Sequence, residues 1–380
     1  MNSEMVFTNG RIVLRDQVHV GSVHVQGRLI ASVNGGSSSQ PGAIDLEGDY
    51  LLPGLVELHT DNFERHLMPR PKTRWPELPA LLGHDAEVAA AGITTVFDAL
   101  GVGDTDEEAM RGQDMAPVLA AITEGAERDL LRAEHRLHIR CELPAANTLD
   151  LFRPFENHPL VGLISLMDHT PGQRQWTNIE QARIYYTGKK GWSNEKFEQS
   201  ATHGRELQER FAIPHRRHVT GYAQRKGIPL ASHDDTMRHH VAEAHAEGVA
   251  ISEFPTRVEA AESARAAGMS IVMGAPNVVR GGSHSGNVSA MDLARRGLLD
   301  SLSSDYVPAS LLMAAFKLVY TCGFEVPHAV AMISRNPAHS VGLRDRGEIA
   351  AGLCADFVQV RMAGTQPVVR AVWRAGRRVV

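Results

Sequence analysis

His59 and Asp61 stand two residues apart at the end of Leu55-Val56-Glu57-Leu58, an apolar run entered through the turn Pro53-Gly54. Residues two apart on a strand point to the same side. An imidazole nitrogen and a carboxylate oxygen so placed suit one divalent metal, although a lone His-x-Asp also serves as an ordinary hydrogen-bonded surface pair. Other apolar runs end in further acids, imidazoles and amides: Asp98, Glu142, Asp168 with His169, His233, Glu253, Asn277 and Asp305. Singly, each reads as a cap or a solvated strand end. Gathered in one mouth, so many carboxylates would repel one another without cations. One or two divalent ions are therefore expected. Oxygen-rich ligation with some histidine suits Zn, Mn or Fe, and Mg less closely.

The elements that must position these residues are eight β-like runs between positions 55 and 305, separated by charged, alanine-rich stretches such as 107–134 and 236–248. Eight alternations over about 290 residues fit an α/β fold of the (β/α)8 TIM-barrel kind, with its active site at the carboxyl ends of the strands. A doubly wound open sheet is the alternative. Residues 5–48 and 354–377 alternate instead with period two, punctuated by glycine and asparagine. They predict a small β-sandwich domain built from both termini, residues 1–52 and 346–380, beside a barrel domain of residues 53–345. One connection, residues 169–227, is oversized and reads as a lid or substrate loop.

Composition narrows the function. The 380 residues are 43% hydrophobic and 22% charged, with a net charge of -5 and three cysteines. That balance gives no case for a nucleic-acid partner, and Cys141, Cys322 and Cys354 form no disulfide or zinc framework. The opening residues lack a secretion-signal pattern and no long apolar run exists. A cytoplasmic protein with no membrane partner is expected; a homo-oligomer is left open. An anionic ligand would need local basic groups. Arg70, Lys72 and Arg74 follow the first strand, Arg174 the fourth, and Arg280 with His284 the seventh. Arginine offers a planar fork to phosphate. The loop Gly281-Gly282-Ser283-His284-Ser285 could expose amide groups as an anion nest.

The PGLVELH entry, the late Asp305 and the return RGEIAAGLCADF resemble the amidohydrolase superfamily. Within it, the stretches HTDNFERHLMPRPKTRWP, AGITTVFDAL, HIRCEL, MDHTPGQRQ, SHDDT and GAPNVVRGGSHSGN are similar to the phosphonate-metabolism diphosphatases of the carbon–phosphorus lyase pathway. The resemblance spans essentially the whole chain. It implies hydrolysis of a small phosphorylated sugar, α-D-ribose 1-methylphosphonate 5-triphosphate, to the 5-phosphate and diphosphate. It also implies metal ligation by His59, Asp61, Glu142, His233 and Asp305, with Asp305 moving the proton in catalysis. The superfamily's usual His-x-His is His59-Thr60-Asp61 here, the sixth-strand histidine is Glu253, and Asp168 with His169 stands where a lysine is usual. The roles of Asp168, His169 and Glu253 are open. Arg70, Arg174, Asn277, Arg280, His284 and Ser285 are the expected substrate contacts. Two other readings compete: hydrolysis of a C–N bond in an amide or cyclic amide, and a catalytically inactive barrel acting as a binding subunit.

Overall fold

The computed structural model describes residues 4–71, 73–104, 115–176, 178–283 and 286–380. The first fifty positions form β1 (Glu4–Val13), β2 (Val18–Gln26), β3 (Leu29–Gly35), β4 (Ile44–Asp45) and β5 (Tyr50–Pro53). The central runs form β6 (Leu55–Thr60), β7 (Ile93–Val102), β8 (Glu134–Glu142), β9 (Val161–Met167), β10 (Leu230–His233), β11 (Ile251–Glu253), β12 (Ser270–Gly274) and β13 (Ser301–Ser303). The C-terminal residues add β14 (Phe357–Ala363), β15 (Gln366–Arg374) and β16 (Arg377–Arg378). Among the described residues these strands make two eight-stranded sheets.

One sheet joins the two termini in the order β16-β15-β14-β5-β1-β2-β3, with β4 beside β1. Its hairpins β1–β2, β2–β3 and β14–β15 are antiparallel, and β5 lies between β1 and β14. One face is sealed by aromatic packing: Phe7 meets Phe357 and Trp373 edge-on at 5.1 and 4.8 Å between ring centres. Such pairs add to the burial of their large apolar surface.

The other sheet runs β6 to β13 in chain order, and its registered pairs are parallel. A parallel bridge between Thr60 and Asp305 joins its first and last members, the arrangement of a (β/α)8 barrel. β6 and β7 are buried at every position, as strands covered on both faces must be. Gly54 alone separates β5 from β6. A Cβ there would lie 2.2 Å from Thr94 Oγ1 and 2.8 Å from Asp356 Cβ, so only glycine lets the chain pass from one sheet to the other.

The chain packs as two compact units. The first comprises Met1–Asp98, Val118–Arg136 and Met273–Val380, and so holds the terminal sheet, β6 and β13. The second comprises Ala99–Pro117 and Leu137–Val272, and holds β9, β10 and β11. Within it, the connection expected as a lid loop is mainly two helices, Ile179–Lys190 and Asn194–Lys226. Asn178 and Ser193 side chains accept hydrogen bonds from the first amides of these helices, and Gly191 and Gly227 end them at φ 66° and 65°. Buried Trp176, Ala182, Phe197 and Ala201 form a small core there. The polar composition of these helices hides a narrow apolar face, which is why the stretch reads as loop. No helix among the described residues is long and apolar enough to cross a membrane.

Candidate metal centre

In the first unit, β6 delivers His59 almost fully buried, 1% exposed. Its Nε2 is 3.7 Å from Asp61 Oδ1. Asp305 follows β13 and adopts φ 56°, a left-handed conformation uncommon outside glycine although Asp and Asn adopt it more readily than most. Its backbone partners are explicit. The Asp305 amide donates to the His59 carbonyl at 3.1 Å, and the Asp61 amide and the Thr60 hydroxyl each donate to the Asp305 carbonyl at 2.9 Å. Ligand atoms of His59, Asp61 and Asp305 all lie within 4.8 Å of one another. One imidazole and two carboxylates at that separation match the donor chemistry of a divalent ion.

In the second unit, Glu142 ends β8, His169 follows β9 and His233 ends β10. His169 Nδ1 lies 2.5 Å from Glu142 Oε2, and its amide donates to Glu142 Oε1 at 2.9 Å. His233 Nδ1 lies 2.7 Å from Glu253 Oε2, which also accepts from Ser165 Oγ at 2.8 Å. Glu253 thereby fixes the ring, with Nε2 3.4 Å from Asp234 Oδ2. A carboxylate behind a histidine sets its tautomer and aim in metal sites. Burial pulls the His233 pKa down, against the raising effect of Asp234 and Glu253. Lowering favours the neutral ring that binds metals. Asp234, at φ 58°, was not among the residues singled out from the sequence. Ligand atoms of His169, His233 and Asp234 again lie within 4.8 Å of each other, so this group also fits a divalent ion.

The remaining expected site residues fall differently. Burial raises the pKa of Asp168, whose carboxylate accepts from the Thr170 amide and from Gln208 of the long helix at 3.0 and 3.3 Å. Arg174 is buried; its guanidinium bonds to Asp235 and to Ser232 Oγ and lies 3.5 Å from Glu243. Two carboxylates therefore neutralise it, and it anchors the turn after β10 instead of standing free for a phosphate. The Asn277 side chain donates to the Val288 carbonyl at 3.2 Å and accepts from the Ala290 amide at 3.0 Å, tying its own loop together. The amides of Gly281 and Gly282 both donate to the Asn277 carbonyl, closing the helix Ala275–Arg280. Those two groups are committed to a helix end, which corrects the expectation of a nest built on them. Arg280 and Arg70 are exposed, and Arg74 pairs with Glu77 at 3.0 Å. Lys72, His284 and Ser285 lie outside the described residues.

A second group of imidazoles and carboxylates in the first unit has a different character. Asp98, fully buried in β7, takes His84 Nε2 at 2.7 Å on one oxygen and His135 Nδ1 at 2.7 Å on the other. His135 Nε2 reaches Asp85 at 3.3 Å. The amide nitrogen of Asn62 lies 3.1 Å from His84 Nδ1, while its oxygen accepts from Arg65. Asn62 thus donates, so His84 carries its proton on Nε2 and donates it to Asp98. Each ring nitrogen here has a protein partner, which marks an ion-paired knot inside the fold.

Comparison with known proteins agrees with this architecture. Residues 203–380 match the model of the amidohydrolase family. The chain is 46% identical over 377 residues to alpha-D-ribose 1-methylphosphonate 5-triphosphate diphosphatase of Escherichia coli (strain K12), covering 99% of this chain and 100% of that protein. Among solved structures, a Xaa-Pro dipeptidase with bound methionine aligns with TM-score 0.66 at 14% identity over 99% of each chain. N-isopropylammelide isopropylaminohydrolase from Burkholderia multivorans ATCC 17616 aligns with TM-score 0.64 at 17% identity, covering 99% of this chain and 98% of that one. At such identities the structural likenesses bear on the fold alone. The full-length relative, the family match and the barrel with its terminal sheet together show that this chain belongs to the amidohydrolase family, in the branch of the E. coli diphosphatase.

Proposed function

We propose that this protein is a metal-dependent phosphoanhydride hydrolase that converts α-D-ribose 1-methylphosphonate 5-triphosphate to the 5-phosphate and diphosphate in the cytoplasm. The observation that carries the reading is the 46% identity to the E. coli diphosphatase along the whole chain. Residues 53–345 carry the chemistry, flanked by the domain of residues 1–52 and 346–380. His59, Asp61 and Asp305 would hold one divalent ion, and Glu142, His169, His233 and Asp234 would hold another; Zn, Mn or Fe suits these mixed donors best. When bound, a divalent ion supplies Lewis acidity to a phosphoryl oxygen and makes water more acidic. The Asp305 carboxylate accepts the proton of the attacking water and returns it towards the leaving diphosphate. Glu253 keeps His233 aimed, and Arg70 and Arg280 present guanidinium groups to the phosphate oxygens.

Incubation with the 5-triphosphate should release diphosphate and leave one phosphate on the sugar. Release of orthophosphate alone would mean that the other anhydride bond is cut, and turnover of an N-acyl or cyclic amide in its place would return the assignment to C–N hydrolysis. The metal assignment has its own check: a His59→Ala/Asp61→Ala double variant should lose bound metal, and undiminished metal content with full activity would sink it. Arg280→Ala should weaken binding of the triphosphate ester by about 1.5–3 kcal/mol, the range for a hydrogen bond to a charged group. Metal content should stay unchanged, because arginine is no ligand. Equal affinity of the variant and the parent protein for the triphosphate would remove Arg280 from the site.

A further inference from the structure

Glu57 is fully buried in β6, two residues before His59. Taking a carboxylate out of water is costly, so the fold places an expensive group here and meets it with hydrogen bonds. Both of its oxygens are used. The His59 amide donates to Oε1 at 2.7 Å, and the Ser304 amide donates to Oε2 at 2.6 Å. One carboxylate therefore grips the backbone of β6 at His59 itself and the backbone after β13 one residue before Asp305. Weaker ties repeat the same join: Ser303 Oγ donates to the His59 carbonyl at 3.2 Å, and the Thr60 hydroxyl to the Asp305 carbonyl at 2.9 Å. Short bonds from two amides to one carboxylate are charge-assisted and stiffer than neutral ones. They act where Asp305 must be held at φ 56°.

We propose that Glu57 is a positioning residue for the metal site, a clamp whose two oxygens set the spacing between the His59–Asp61 pair and Asp305. This rests on the reading of His59, Asp61 and Asp305 as ligands. The clamp acts on main-chain amides at His59 and at Ser304, beside Asp305, whereas Glu253 acts on a ring nitrogen. A carboxylate is required because both partners are donors. In Glu57→Gln the amide oxygen can satisfy one N–H, but the NH2 group then faces the other donor. In Glu57→Asp the charge remains, but the side chain is one methylene too short to reach both amides.

The test titrates Co2+ into metal-free full-length protein and records the visible absorption bands, which report the number and geometry of ligands. The parent protein, Glu57→Gln, Glu57→Asp and His59→Ala/Asp61→Ala are compared, with a melting curve for each metal-free form. The expected result is that the double variant loses the Co2+ bound at this site, while both Glu57 variants bind it about 10–100-fold more weakly, as when an outer partner of a metal ligand is removed. Their bands should also shift. If Glu57→Gln does not fold, Glu57→Asp decides alone. Affinity within about twofold of the parent and unchanged bands would overturn the clamp while leaving the ligand reading intact; typical losses on removing such a partner are far larger. A lowered melting point with unaltered bands and affinity would reduce Glu57 to a structural tie and overturn it equally. Parent-like Co2+ binding by the double variant would remove the ligand reading, and the clamp with it.

Discussion

Asp305→Asn should fold, melt close to the parent protein and lose about 10²–10⁴-fold in kcat, the usual contribution of a general base. The substitution is chosen for the backbone. Asp305 sits at φ 56°, and asparagine, like aspartate, tolerates the left-handed region better than most non-glycine residues. Alanine would add backbone strain to the loss of the carboxylate and confuse the two effects. The main-chain bonds that seat the residue, from its amide to His59 and to its carbonyl from Asp61 and Thr60, do not involve the side chain. An amide cannot take up a proton at neutral pH, so the proton transfer is removed, and because Asp305 is also placed among the metal ligands, metal content is read beside turnover. Diphosphate release measured at saturating substrate, with metal content determined on the same sample, separates turnover from ligation. A loss smaller than about tenfold would take Asp305 out of the proton transfer.

Asp98→Asn should act on stability. Asp98 is fully buried between His84 and His135, and removing one partner of a buried ion pair strands the other charge, at a cost of about 3–5 kcal/mol. The charges can be assigned. Burial alone would raise the Asp98 carboxyl, but His135 and His84 hold it far below the usual carboxylate range. Burial alone would lower His135, but Asp98 and Asp85 push it up to about 9. His84 is lowered by its burial despite Asp98, which favours its neutral form. The knot is thus an imidazolium, His135, between two carboxylates, with the second ring, His84, donating to Asp98.

The pH dependence follows from those directions. His135 rises above its ordinary value of 6.5 on folding, so its contribution is full below about 6.5 and fades as pH climbs through about 9. Asp98 falls below its ordinary 3.8, so its contribution is full above about 3.8 and fades in stronger acid. The parent protein should exceed Asp98→Asn in unfolding free energy most clearly near pH 5–6, with the gap narrowing at pH 9 and above. Denaturant melts of both proteins across that range measure it. A gap that stays constant from pH 6 to pH 10 would show that His135 carries no charge in the knot.

The barrel and the terminal sheet were legible in the sequence because each strand writes its own signature locally. β6 and β7 are continuous apolar runs, the two termini alternate with period two, and Pro53-Gly54 marks the crossing between the sheets. The motifs around His59, Glu142, His233 and Asp305 pointed to the amidohydrolase family on the same local terms. The helices between residues 179 and 226 were not legible, since their apolar faces are narrow and their polar residues dominate the composition. Nor was the fate of individual charges. Arg174 reads as a phosphate ligand until the fold sets Asp235 and Glu243 against it, 61 and 69 positions further on. Asp98 reads as one more acid at a strand end until His84 and His135 close on it from a helix and from the next strand. Gly281 and Gly282 look like an open nest until their amides turn back on Asn277. His169 meets Glu142 across 27 positions, a pairing set by the register of β8 against β9. Glu57 lies in plain view two residues before His59, yet nothing along the chain says that its second oxygen will find Ser304, 247 positions away. Strand and helix periodicity depends on near neighbours, which a sequence displays. The partner of a charge or an amide depends on which distant segment packs against it, and only the tertiary structure decides that.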